Sequence, residues 1–129
     1  MCQKISAVPG IGVLTATAIL AAVSSPQVFK NGRHMAAWLG LVPKQNSSGG
    51  KAALGKLSKR GNRYLRMLLI HGARAVVQQA EKRKDSKSVW TSNLKLRKGT
   101  NIATVALANK NARVIWALMA HDDIYRQAA

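Results

Sequence analysis

Two adjacent serines, Ser47 and Ser48, run into Gly49 and Gly50, and seven cations stand between Lys44 and Arg66. A serine hydroxyl is a weak nucleophile until a base or a positive field stabilises its alkoxide. Lys44, Lys51, Lys56, Lys59, Arg60, Arg63 and Arg66 supply such a field, and no carboxylate precedes Glu81. The same field would stabilise the charge that builds on phosphorus when a phosphodiester is attacked. A flexible Ser-Gly loop that merely binds phosphate has the same composition, so the residues alone leave both readings open. The stretch is not a nucleotide-binding P-loop, because the order Gly-Lys-Ser/Thr is missing.

A second group sits near the start. Val8-Pro9-Gly10-Ile11-Gly12 reads as a turn, and Thr15 lies just inside the helix that follows. Glycines let a backbone approach a phosphate, and free amides at a helix start attract anions. The segment 5–23 therefore resembles the hairpin of the helix-hairpin-helix motif, with Gly10, Gly12 and Thr15 as its DNA-contacting positions. A plain Pro-Gly turn between two packed helices is the alternative. Further along, Arg63, Arg66 and Arg74 fall near one stripe of a helix whose apolar residues lie elsewhere. An ordinary solvated face mixes signs, and this one does not, so phosphate contact is favoured.

These groups need a scaffold. Of the 129 residues, 47% are hydrophobic but only 5% aromatic, and Ala, Leu, Ile and Val supply most of the apolar mass. That favours packed helices over a β-sandwich. Helical spacing predicts segments over 13–23, 33–39, 61–82 and 100–121, with a short helical fragment near 4–7 and a further helical turn or short helix near 89–96. Residues 82–88 read as a charged linker, and 40–60 as a long Gly/Ser/Lys loop ahead of a basic helix. The expectation is an all-α domain of about five helices over 1–129, with 61–121 its main helical region.

Charge sets the partner. With 21 Lys and Arg against 4 Asp and Glu, the net charge is +17. A polyanion is implied, and nucleic acid is the commonest one. A membrane is disfavoured, since no apolar run is long enough to span one. The single cysteine, Cys2, has no partner for a disulfide and suits a reducing cytoplasm. Glu81, Asp85, Asp122 and Asp123 fall in two late clusters, and His34, His71 and His121 lack ligand spacing, so no metal site is expected in this chain. Trp38, Trp90 and Trp116 read as packing anchors.

Taken together, Ala36-Ala37-Trp38-Leu39-Gly40-Leu41-Val42-Pro43, Ser47-Ser48-Gly49-Gly50-Lys51, Ser58-Lys59-Arg60-Gly61-Asn62-Arg63-Tyr64-Leu65-Arg66 and Leu69-Ile70-His71-Gly72-Ala73-Arg74 resemble a known family. It is the C-terminal domain of bacterial insertion-sequence transposases of the 110/116/902 type, relatives of the Piv-type invertases. Ala106-Leu107-Ala108-Asn109-Lys110-Asn111-Ala112-Arg113 and Trp116-Ala117 extend the likeness. The resemblance implies a DNA recombinase whose N-terminal RuvC-like domain, absent from these residues, holds divalent metal such as Mg²⁺. It implies that a serine forms a covalent link to DNA; the matching position is Ser48, with Ser47 its rival. It further implies action as a homo-oligomer in the bacterial cytoplasm on nucleoid DNA, and in some members an RNA guide. The isolated piece would bind DNA without recombining it. The competing reading is a non-catalytic helix-hairpin-helix nucleic-acid-binding module.

Overall fold

The structure is a computed structural model that describes residues 1–23, 25–41 and 63–125. It is all-α, with no strand among the described residues. The elements are α1 (Cys2–Ser6), α2 (Val13–Ala22), a 3-10 turn (Pro26–Val28), α3 (Gly32–Trp38), α4 (Arg63–Gln79), a second 3-10 turn (Ala80–Lys82), α5 (Ser86–Lys98) and α6 (Thr100–His121). Most of the 40–60 loop, with Lys44, Ser47, Ser48, Lys51, Lys56, Lys59 and Arg60, lies outside the described residues.

The long helix α6 is the centre, with α3, α4 and α5 packed around it. Its buried positions fall in two rows spaced by four: Ala103, Leu107, Asn111 and Ile115, and Thr104, Ala108 and Ala112. Residues four apart stack on one face of a helix. On α4 the matching row is Leu65, Leu69, Ala73 and Val77, all buried. The alanines keep side chains short where the two helices meet, and the leucines fill the space beside them.

Asn111 is the one amide in these rows, at 0% exposure. An unpartnered buried amide would cost about 1–3 kcal/mol. Here Lys87 Nζ donates to its Oδ1 at 2.7 Å, and its Nδ2 donates to the Pro9 carbonyl at 3.4 Å. One amide thus joins α6 to α5 and to the turn after α1.

That turn, residues 7–12, is closed by hydrogen bonds from Val8 N to the Ile5 carbonyl and from Ile11 N to the Val8 carbonyl. Gly10 sits at φ +93°, a region side chains avoid. Its carbonyl rests on the backbone of Gly72 in α4, so closely that a Cβ on Gly72 would overlap it. The turn is pinned to α4 by this glycine pair.

Between 82 and 98 the helix is longer than expected. The charged linker shrinks to residues 83–85, and the helix expected near 89–96 runs as α5 for 13 residues from Ser86. Asp85 starts it: Oδ2 accepts from Ser88 N at 3.1 Å, and Oδ1 from Ser88 Oγ at 2.8 Å. Such a cap contributes about 1 kcal/mol and turns a charged stretch into a helix start. α5 stops at Gly99, whose φ of +93° breaks it from α6. The described residues therefore hold six α-helices where the sequence suggested about five.

The tryptophans behave as anchors. Trp116 Nε1 donates to the Pro26 carbonyl at 2.9 Å. Trp38 packs on Phe29, with ring centroids 5.3 Å apart. At the end of α6, Asp122 meets Lys4 at 2.7 Å. The hydrogen bond and charge of Lys4 hold that carboxyl below its usual range, which offsets the poor placement of an acid at a helix C-terminus.

Candidate nucleic-acid interface

The outward face of α4 carries the densest described cluster of unlike features. Successive helix residues turn by about 100°, so Arg63, Met67, Ile70 and Arg74 share a stripe. Arg66 flanks it on one side, and Tyr64 and His71 on the other. Together these seven side chains line a shallow depression of about 670 Å³. No carboxylate occurs on α4.

One of the three guanidinium groups is held by another element: Arg74 Nη1 donates to Asn101 Oδ1, in the first turn of α6, at 3.1 Å. Arg66 passes close over Gly40, just beyond α3; a Cβ on Gly40 would come within 2.7 Å of Arg66 Nη1. Arginine held as Arg74 is loses less freedom when it meets a phosphate. Sequence spacing finds the three arginines. It does not find Asn101 or Gly40, whose roles exist only once the helices are packed. Tyr64 and Met67 were open to detection, because both fall off the buried row of α4.

The hairpin positions divide. Thr15 is only 6% exposed, so its side chain faces the interior, and what it offers a ligand is its backbone amide. Gly10 is taken up by its contact with Gly72. Gly12 opens onto free space and precedes α2 without any side-chain cap. Of the three, Gly12 alone marks an open surface, beside exposed Val13 and Leu14.

The remaining cations are partly employed within the fold. Lys95 pairs with Glu81 at 3.1 Å. The Lys110 ammonium sits 4.5 Å from the Trp90 ring centroid. Lys87 is pushed down to about 8, chiefly by burial and further by Lys110, with Asp85 opposing. Among the described residues, no group of three or more His, Cys, Asp or Glu side chains is placed to hold a metal ion. No helix among them is long and apolar enough to cross a membrane.

Comparison with known proteins adds the following. Residues 2–88 match the model of the transposase IS116/IS110/IS902 family. The chain is 51% identical over 124 residues to the "Probable family 20 transposase" of Pseudomonas aeruginosa, covering 96% of this chain and 37% of that protein. It is 48% identical over 128 residues to the transposase for insertion sequence element IS1111A of Coxiella burnetii, covering 99% and 35%. With the transposase for element IS1328 of Yersinia enterocolitica the identity is 34% over 123 residues, covering 95% and 37%. The chain thus spans little more than a third of the length of these curated relatives. No solved structure matches it.

Proposed function

The chain belongs to the IS116/IS110/IS902 transposase family, and from that premise we propose that it is the part of a DNA recombinase that grips and attacks the strand. The observation that carries this is the α4 face. Arg63, Arg66 and Arg74 line one depression, Arg74 is braced by Asn101, and no carboxylate shares their helix. Cations arranged this way bind the sugar-phosphate backbone, which positions DNA without reading its sequence. The uncapped start of α2 after Gly12 adds backbone amides suited to a further phosphate.

In this reading Ser48 is the nucleophile and Ser47 its nearest rival. The Ser48 hydroxyl oxygen bonds to phosphorus as the bond from phosphorus to one strand oxygen breaks. The serine proton is lost, and the departing oxygen leaves as a strand hydroxyl. A hydroxyl of another strand then displaces the serine, so the phosphodiester is re-formed with a new partner. Lys44, Lys51, Lys56, Lys59 and Arg60 supply the field that steadies the charge. No step is routed through a metal in this chain. Divalent metal is assigned to a RuvC-like part of the longer protein, which acts on double-stranded DNA as a homo-oligomer, with an RNA guide as a further partner.

The test uses the full-length protein and trapping of a covalent protein–DNA adduct. Ser48→Ala should lower adduct and recombinant product by about 10³-fold or more, while Ser47→Ala should not. The reverse pattern moves the role to Ser47. Activity in both variants removes serine chemistry altogether.

A further inference from the structure

A surface that only grips phosphates has no use for exposed apolar side chains between its arginines. The α4 face has two: Tyr64 is 50% exposed and Met67 57% exposed. Both line the same depression as Arg63, Arg66 and Arg74, with Ile70 beneath. Neither belongs to the buried row of Leu65, Leu69, Ala73 and Val77, so neither is needed for the core.

Position matters as much as exposure. Arg63 and Arg74 are eleven residues apart, roughly 16 Å along the helix at 1.5 Å per residue. Tyr64 stands on the flank of that span, one residue from Arg63, and Met67 stands within it. Arg63 and Arg74 frame the apolar patch from its two ends and Arg66 flanks it, with Arg74 held by Asn101. A backbone tracked by cations beside an aromatic platform is how proteins hold single strands, because every base offers a flat apolar face. A planar aromatic ligand with a flanking negative charge satisfies both halves of this surface.

We propose that the α4 face takes an unpaired base of a DNA strand, stacked on Tyr64 against Met67, while Arg63, Arg66 and Arg74 hold the adjoining phosphates. This rests on the DNA-gripping role proposed above and narrows it from a regular duplex to a strand opened at one position. Paired bases hide their faces in the stack, so an intact duplex meets only the arginines. A strand that has lost its pairing presents a face to Tyr64 as well.

The experiment compares three fluorescent DNAs bound by the 129-residue chain: a fully paired duplex, the same duplex with one bulged base, and the same bulge with an abasic site. The bulged base should bind about tenfold more tightly than the other two. Tyr64→Ala should remove that preference, and Tyr64→Phe should keep it. Equal binding of the bulged base and the abasic site by the natural chain would overturn the proposal. So would a preference that survives Tyr64→Ala. If paired duplex binding is itself indifferent to Arg63→Ala combined with Arg66→Ala, the gripping role fails instead, and the two failures are told apart.

Discussion

Two stretches of this chain are rich in cations, and they spend them differently. On α4, Arg63, Arg66 and Arg74 face outward with no acid on their helix. Between residues 81 and 98 the cations come with Glu81 and Asp85 among them. There Lys95 pairs with Glu81, Lys87 reaches in to Asn111, and Asp85 starts a helix. The first stretch keeps its charge for something outside the fold. The second turns Lys87, Lys95 and both of its acids to holding the fold. Net charge alone does not distinguish them, because it counts both alike.

The largest expected effect tests what holds the first stretch in place. Gly72→Ala puts a methyl group into the Gly10 carbonyl, and α4 must shift from the hairpin. Unfolding by urea, followed by circular dichroism, should show a loss of about 3 kcal/mol. A near-neutral result would mean that the glycine contact does not brace α4, and the contrast between a fixed arginine face and its scaffold would weaken.

Next comes the direct contrast. Arg63→Ala with Arg66→Ala should weaken duplex binding by about a hundredfold at low salt and reduce the salt slope by about 2. Lys82→Ala with Lys84→Ala removes the same charge beside Glu81 and Asp85, and should change affinity by roughly threefold or less. Equal losses from the two pairs would erase the distinction and leave a diffuse positive field. Titrations at several salt concentrations decide it.

The smallest effect sharpens the second stretch. Lys87 titrates near 8 in the folded chain against 10.5 for an ordinary lysine, because burial disfavours its charge. Between those values the unfolded chain holds the proton that the folded chain has lost. Stability attributable to Lys87 therefore rises as pH climbs from about 8 to about 10.5, and its penalty is fully present below 8. Thermal unfolding of the natural chain over this range should show a rise that Lys87→Met lacks. Parallel pH profiles would mean that the lysine is solvated in the fold.

Much of the fold was legible. The rows in α4 and α6 are regular enough that spacing alone located both helices. In segment 82–98 the start of the helix was not legible, because its charges resemble a linker and the cap at Asp85 is a local hydrogen bond that composition conceals. The site was legible in part: the shared face of the three arginines follows from period and charge, whereas the burial of the Thr15 side chain is set by packing that the hairpin pattern does not contain.

The amino-acid order by itself settled the helical class, the excess of positive charge and the shared face of Arg63, Arg66 and Arg74, since each depends on residues within a few turns of one another. Packing alone decided that Asn101 would hold Arg74 across 27 positions, that Gly40 would lie under Arg66, and that Gly10 would rest on Gly72. Contacts of that kind depend on where whole helices come to rest, and that is set by the buried surface of the entire domain, which no local pattern contains.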